Sequence, residues 1–159
     1  MEKKYSRGFI QGTFDMFHIG HLNLIKRAKE QCEYLIVGVN TDELVQEYKN
    51  KTPIIKQDER IAIVQELKSV DETVLMKDRD KLKAAKELNF DVIFMGDDWK
   101  GTEFYNKVEE ELKKIGVDIV YFPYTKGTSS TILRQVLEKR LEQIEKSIAN
   151  DKENSKGER

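Results

Sequence analysis

The chain contains two histidines, His18 and His21, which lie three positions apart in the segment 11–21, QGTFDMFHIGH. Residues at this spacing share one face of a helix, and a helical pattern of apolar residues begins here. A helix N-terminus presents unpaired backbone N–H groups and a positive dipole end, which bind anions. Gly12 permits close approach of the backbone to a ligand. The segment therefore predicts a site that holds a phosphate while negative charge develops on it.

Two other interpretations of the histidine pair stay open on the residues alone. In one, a histidine caps the helix while the other packs against a sheet. In the other, the pair binds a metal, although no nearby Cys or Glu completes a ligand set. The glycine fingerprint GxGxxG and the phosphate loop GxxxxGK[ST] are both absent, which argues against ordinary dinucleotide enzymes and phosphate-loop NTPases.

Short β-branched runs alternate with amphipathic stretches along the chain. The pattern predicts strands at 8–11, 34–39, 73–76, 91–95 and 117–122, and helices at 21–32, from 41, 58–67, 82–88, 103–115 and from about 129. We expect Asp58 to cap the third helix and Gly116 to end the fifth. This alternation predicts an α/β fold, a parallel sheet with helices on both faces. Such sheets bind ligands beyond the carboxyl ends of their strands, which points to the loops after Gln11, Val39, Met95 and Phe122.

Composition limits the class of protein. The chain has 159 residues with 28 Lys+Arg against 29 Asp+Glu, a net charge of −1, which lacks the basic footprint of a nucleic-acid binder. Cys32 is the single cysteine, and no apolar run approaches membrane-spanning length. We therefore expect a cytoplasmic protein with one domain at 1–149, including a C-terminal helix. The polar residues 150–159 are expected to form a disordered tail.

The segments GTFD at 12–15 and HIGH at 18–21 resemble the signature of the cytidylyltransferase-like nucleotidyltransferases. Three further segments resemble the glycerol-3-phosphate cytidylyltransferase subgroup: Arg60 leading to VDE at 70–72, MGDDW at 95–99, and TKGTSST at 125–131. The resemblance covers roughly residues 8–141. It implies a Rossmann-like fold, Mg²⁺ bound with the nucleotide, a homodimer, and in-line attack of an alcohol phosphate on the α-phosphate of a nucleoside triphosphate, here CTP and glycerol 3-phosphate.

The resemblance also implies roles for individual residues. Those implied for catalysis are His18, His21, Asp15, Lys49 and Arg60. Those implied for nucleotide binding are Gly12, Thr13, Phe14, Asp98, Tyr124, Thr125, Gly127, Ser129, Ser130 and Thr131. Those implied for binding the acceptor are Lys51, Lys68 and Trp99. Asp15 would orient its loop or help to bind magnesium. On the residues alone it is a helix cap, and the two roles can coexist.

Two positions depart from the family pattern. Lys68 stands where the family has an arginine, so the charge is kept but the bidentate fork is lost. Tyr124 replaces an arginine typical of the subgroup and carries no charge. The same fold leaves open adenylyl transfer to a sugar, flavin or pantetheine phosphate, and a nucleotide-binding regulatory module. The GDDW and GTSST segments favour the glycerol-phosphate subgroup.

The last predicted helix carries an apolar stripe. Its members are Leu133, Leu137, Leu141, Ile144 and Ile148. Such a stripe packs either a partner subunit or the protein's own sheet, and together with the resemblance it predicts a homodimer. We also expect Lys49, Lys51, Arg60 and Lys68 to surround the phosphates with positive charge.

Overall fold

The computed structural model describes residues 2–123 and 129–157. The strands are β1 (Tyr5–Gly12), β2 (Cys32–Asn40), β3 (Glu72–Met76), β4 (Val92–Gly96) and β5 (Asp118–Phe122). The helices are α1 (Ile19–Gln31), α2 (Asp42–Lys49), α3 (Gln57–Gln65), α4 (Lys81–Leu88), α5 (Glu103–Lys114) and α6 (Ser130–Gly157), and a 3₁₀ turn spans Asp97–Trp99. Each predicted element is present, with its ends displaced by at most three residues.

All neighbouring strands of the sheet are parallel, in the order β3-β2-β1-β4-β5. The chain builds outward from β1 to β3, then returns to the other side of β1 with β4. The strand order therefore reverses between β1 and β4, and the loop after β1 begins beside this switch point, where such sheets bind ligands. The predicted α/β, Rossmann-like fold class is confirmed.

Hydrophobic cores lie on both faces of the sheet because successive strand residues point to opposite sides. Ile10 belongs to one core and its neighbour Phe9 to the other, and both are almost completely buried. Gly38 of β2 allows this close packing: a Cβ there would lie 2.6 Å from Met76 Cγ and 2.9 Å from Phe9 Cζ. The central strands are thus held by dense packing under the site.

Of the two predicted helix-end residues, Gly116 and Asp58, the structure agrees with the first and not with the second. Gly116 has a φ of +81° directly after α5, as a helix-terminating glycine requires. The prediction that Asp58 caps α3 is wrong, because α3 begins at Gln57 and its N-cap, Lys56, makes no side-chain capping bond. Gln57 instead pairs with Asp42: its Oε1 accepts from the Asp42 N–H at 2.8 Å, and its own N–H donates to Asp42 Oδ2 at 3.3 Å.

Helix α6 has 28 residues and continues to Gly157. The prediction of a disordered tail is therefore corrected for residues 150–157, which are helical. No proline or glycine interrupts 130–156, and opposite charges four apart, such as Glu142 and Lys146, support the helix locally. Every side chain from 135 to 156 is exposed. In the described part of the chain, no helix is both long and apolar enough to cross a membrane.

Candidate active site

A cavity of about 1050 Å³ opens at the carboxyl ends of the strands. It is lined by the loops after β1, β2 and β4, by the first turns of α1 and α6, and by residues around β3's end. The predicted site residues that line it are Gly12, Thr13, Phe14, Asp15, His18, His21, Lys49, Lys51, Asp98, Trp99, Ser129, Ser130 and Thr131. Its volume suits a nucleotide together with a small second substrate. Tyr124, Thr125 and Gly127 lie outside the described residues.

The two imidazoles lie against each other at the start of α1, with ring centroids 3.9 Å apart and planes 30° apart. His18 is the N-cap residue, and its Nδ1 accepts a hydrogen bond from the Gly20 N–H at 3.0 Å. His21 completes a capping box, because its Nδ1 accepts from the His18 N–H at 3.2 Å. The capping interpretation and the functional one thus coexist: backbone groups fix the orientation of both rings.

These hydrogen bonds also determine which nitrogen carries the proton. Because each Nδ1 is an acceptor, the neutral ring must be protonated at Nε2. Burial lowers the pKa of His21 to about 4, with the neighbouring His18 adding to the effect. Burial also lowers the pKa of His18 below its usual value. Near pH 7 the site therefore holds two neutral Nε2–H donors.

Ser130 of α6 links His21 to the loop after β1. Its hydroxyl donates to the Asp15 carbonyl at 2.7 Å, and its Oγ lies 3.5 Å from His21 Nε2. Since the hydroxyl proton is used on Asp15, the Oγ faces the Nε2–H of His21, but 3.5 Å is too long for a strong hydrogen bond, so this N–H stays available to a ligand. The first turn of α6 thus lies against His21 and is joined to the loop after β1.

The carboxylate of Asp15 is buried and occupied by structural bonds. It accepts from the N–H groups of Ile54 and Ile55 at 2.8 and 2.9 Å, and from Arg134 at 3.2 Å. Of the three roles considered for Asp15, these bonds support orientation of the loop, and the residue that caps α1 is His18 instead. The described residues contain no group of three or more His, Cys, Asp or Glu side chains placed to hold a metal ion.

Arg60 is 1% exposed and does not line the cavity. Its guanidinium donates to the carbonyls of Thr13, Asn40 and Ile55 at 2.7 to 2.8 Å and pairs with Asp42 at 2.7 Å. The predicted catalytic contact is corrected: Arg60 lies beneath the site and fixes the segments that form it. Sequence shows a charge but does not show that backbone carbonyls already use its donors.

Lys68 is also not at the cavity. It is exposed and precedes β3, which begins at Glu72. It therefore lies on the side of the sheet where parallel strands begin, while the cavity lies where they end. Its prediction as an acceptor-binding residue is corrected by this topology.

Four cationic residues missed by the sequence analysis line the cavity: Arg27, Arg79, Lys81 and Arg134. Burial lowers the pKa of Lys81 to about 8, and its Nζ donates to Gln11 Oε1 at 3.0 Å. Lys81 and Arg79 follow β3, whose carboxyl end was not among the loops singled out from sequence. The rule that ligands bind at these ends would have found both.

The GDDW segment forms the 3₁₀ turn after β4. Trp99 is 57% exposed at the rim, with its ring centroid 6.4 Å from that of Tyr105 in a stacked orientation. Asp98 lines the same side of the cavity. The turn thus brings an accessible aromatic surface to the rim of the cavity, and the role of Trp99 in substrate binding stays a prediction.

A parallel sheet with neutral imidazole donors at a helix N-terminus and cations around one cavity has the features of a nucleotide-binding transferase. The chain belongs to the cytidylyltransferase-like family, whose model matches residues 9–136. Glycerol-3-phosphate cytidylyltransferase of Bacillus subtilis is 34% identical over 125 residues, 78% of this chain and 91% of that protein. FAD synthase of Korarchaeum cryptofilum is 39% identical over 137 residues, 82% and 91% of the two chains.

A solved structure supports the same fold. The lipopolysaccharide core biosynthesis protein of Thermoplasma volcanium is similar with a TM-score of 0.64 and 29% identity, covering 78% of this chain and 99% of the other. The protein is therefore a cytidylyltransferase-like nucleotidyltransferase.

Proposed function

We propose that this protein transfers CMP from CTP to glycerol 3-phosphate, or to a related polyol phosphate, and releases pyrophosphate. The observation that carries the proposal is the pair of neutral Nε2–H donors at the N-terminus of α1. Donors of this kind stabilise negative charge that develops on a phosphate during transfer. The cytidylyltransferase relatives and the GDDW segment support the choice of substrates.

In the proposed reaction, an oxygen of the acceptor phosphate attacks the α-phosphorus of CTP. The new P–O bond forms as the bond to the β-phosphate oxygen breaks, and pyrophosphate leaves with that electron pair. His18 and His21 donate hydrogen bonds to the phosphate oxygens, each worth roughly 3–4 kcal/mol in the transition state. Lys49 and Lys51 line the same cavity and would reduce repulsion between the two anionic substrates.

We propose that Mg²⁺ enters with the triphosphate. Magnesium is commonly bound by one or two carboxylates and substrate phosphates rather than by an all-protein cage, which suits a cavity in which Asp15 is already occupied. The ion would supply positive charge to the triphosphate. Asp98 lines the cavity on the β4 side, and we propose its carboxylate as the ligand that this chain contributes.

Adenylyl transfer to a flavin phosphate is the second candidate. It is favoured by relatives named FAD synthase, one of them 39% identical, and by the exposed Trp99 ring, on which a flat heterocycle could stack. The polyol-phosphate reaction stands first because the GDDW and GTSST segments both resemble the glycerol-phosphate subgroup.

Pyrophosphate release across a substrate matrix tests the proposal. CTP, ATP, GTP and UTP are each combined with glycerol 3-phosphate, ribitol 5-phosphate and FMN, and products are identified by mass. We expect turnover with CTP and a polyol phosphate. Turnover with ATP and FMN alone would establish the second candidate, and nucleotide binding without turnover would indicate a regulatory module.

Histidine variants test the chemistry in the same assay. His18→Ala and His21→Ala should each lower kcat by about 10²–10³ because each loses a transition-state donor. Lys26→Ala is the matched control, since Lys26 is exposed on the same helix and outside the cavity. A loss within threefold of wild type in both histidine variants would contradict the proposed roles.

We also propose a homodimer formed through α6. Leu137, Leu141, Ile144 and Ile148 are each about half exposed although they are large and apolar. The described residues 135–156 carry five basic and five acidic side chains, so this helix has no net charge to attract an anionic membrane. The apolar stripe is continuous, and a second copy of the same stripe would cover it.

The charges beside the stripe support a second copy as the partner. Arg140 lies on one flank of the stripe and Glu145 on the other, so two parallel helices related by a two-fold axis bring unlike charges together. Sedimentation at micromolar concentration should show a dimer, and Leu141→Glu/Ile144→Glu should show a monomer. Gln143→Glu, on the opposite face, is the control and should stay dimeric. A wild type that sediments only at 18.6 kDa would contradict the dimer.

A further inference from the structure

The cavity has a second group of cations, on the side of β3 and β2. Arg79 and Lys81 follow β3, and Lys49 ends α2 after β2. None of the three makes an ion pair with a carboxylate among the described residues. Arg134, on the α6 side of the cavity, is by contrast paired with Asp15. Uncompensated positive charge in a cavity indicates that an anion binds there.

Tyr48 organises this group. The guanidinium carbon of Arg79 lies 4.1 Å from the centroid of the Tyr48 ring, within the range of a cation–π contact, and Lys49 Nζ lies 5.5 Å from it. The Tyr48 hydroxyl is 3.2 Å from Thr13 Oγ1 and 3.3 Å from Asn40 Nδ2. One tyrosine side chain therefore spans the distance from the loop after β1 to Arg79.

A network of polar side chains connects Lys81 to Tyr48. Lys81 Nζ donates to Gln11 Oε1 at 3.0 Å, and Gln11 Nε2 donates to Asn40 Oδ1 at 2.9 Å. Asn40 in turn reaches the Tyr48 hydroxyl. The amine and the aromatic platform are thus held by one chain of hydrogen bonds, which sets the cations in place before a ligand arrives.

The order of the strands separates this group from the rest of the site. Arg79 and Tyr48 lie on the β3–β2 side, the histidines lie after the central strand β1, and Trp99 with the start of α6 lies on the β4–β5 side. In the transfer reaction proposed above, the two substrates meet at the histidines, and we assign one substrate to each side of them. The aromatic side suits a nucleobase, and the cationic side suits the anionic acceptor.

We propose that Arg79, positioned by Tyr48, binds the phosphate of the acceptor and selects a phosphomonoester as second substrate. The inference rests on the transfer reaction proposed above. A guanidinium can donate two parallel hydrogen bonds to one phosphate, and a ring beneath it limits its orientation. Arg79 is therefore a specificity-determining residue for the acceptor, and Tyr48 is the residue that positions it.

Steady-state kinetics on the full chain test the assignment. Arg79→Ala should raise the KM for glycerol 3-phosphate by about 10- to 100-fold, as expected when charge-assisted hydrogen bonds are lost. The KM for CTP and kcat should stay within about threefold of wild type. Arg79→Lys should recover part of the affinity because charge is kept. Lys86→Ala is the control and should behave as wild type, because Lys86 is exposed on α4, the helix that follows Arg79, and lies outside the cavity.

The role of Tyr48 requires a double-mutant cycle. Tyr48→Leu removes the ring and should raise the acceptor KM, whereas Tyr48→Phe keeps the ring and should raise it less. If Tyr48 acts by holding Arg79, adding Tyr48→Leu to Arg79→Ala should have little further effect on the acceptor KM. Full additivity of the two changes would overturn the positioning role.

Failure of this inference differs from failure of the proposed function. An active wild type whose Arg79→Ala variant keeps the acceptor KM, or loses CTP affinity instead, would overturn the inference alone. If wild type does not use glycerol 3-phosphate, the proposed function fails, and calorimetry with inorganic phosphate decides the inference. Weaker phosphate binding by Arg79→Ala than by wild type and Lys86→Ala would support it, and equal binding would overturn it.

Discussion

His21 makes the stability of the fold depend on pH. Its folded-state pKa is lowered to about 4, chiefly by burial, whereas a histidine in the unfolded chain titrates near 6.5. Between these values the unfolded chain binds a proton that the folded protein does not. Stability is therefore fully present above about pH 6.5 and is lost as the pH falls toward 4. Protonation at Nδ1 would also remove the acceptor for the His18 N–H.

The size of this effect follows from the gap between the two pKa values. A gap of about 2.5 pH units corresponds to about 3 kcal/mol of unfolding free energy, a large share of the stability of a domain this size. His18 contributes in the same direction because its pKa is lowered too. A variant of His21 alone is needed to separate the two.

His21→Gln provides that separation. Glutamine at the third helical position can still accept from the N-cap N–H, so the capping box survives without a titrating group. Urea unfolding of wild type and variant at pH 7, 6, 5 and 4 should give curves that diverge on acidification. Wild type should lose about 3 kcal/mol more than the variant. Equal losses would show that His21 is not buried in its neutral form and would refute the donor assignment.

Three further predictions concern the framework. Arg60→Ala should cost about 3–5 kcal/mol in urea unfolding, because it leaves Asp42 without its partner and buried carbonyls without donors; a loss below 1 kcal/mol would contradict its role. Gly38→Ala should cost about 1–3 kcal/mol and lower Tm, because its Cβ meets Met76, and an unchanged Tm would show that the core yields. Truncation after residue 149 should leave kcat unaltered, and sedimentation should give the same oligomeric state as the full chain. Lost activity would assign the last turns of α6 to the site.

Periodicity was sufficient to predict the fold because the central strands are continuous runs of buried apolar residues, and because the residues between them follow a helical pattern. It was sufficient for the histidine pair because a three-residue spacing needs only local geometry. It was insufficient for α6, where the polar composition of residues 150–157 suggested disorder although the segment has no proline and its one glycine is its last residue. A polar segment cannot bury side chains in a hydrophobic core, but its residues can still favour a helix through their intrinsic helix propensity and through local charge pairs.

The charged residues of the site were harder to predict for a different reason. A motif shows that a side chain is present, but its role depends on which groups its donors and acceptors already serve. Arg60 and Asp15 are both occupied by backbone groups from distant segments. Arg79 and Lys81 belong to no motif, and only their position after the predicted strand β3 could have indicated them from the sequence.

The occupied residues explain how the loop after β1 keeps its shape. Phe14 and Met16 have φ angles of 56° and 48°, which side chains other than glycine adopt at a cost of about 1–3 kcal/mol each. Such strain persists only where the surroundings over-determine the backbone. Here Arg60 holds the Thr13 carbonyl, while Ser130 and two backbone amides hold Asp15, on either side of Phe14. The same bonds join the loop to α3 and α6, so the position of the imidazoles depends on three distant segments at once. Asp15 and Arg60, which the sequence suggests as catalytic groups, act here as supports that keep the strained loop after β1 in one conformation.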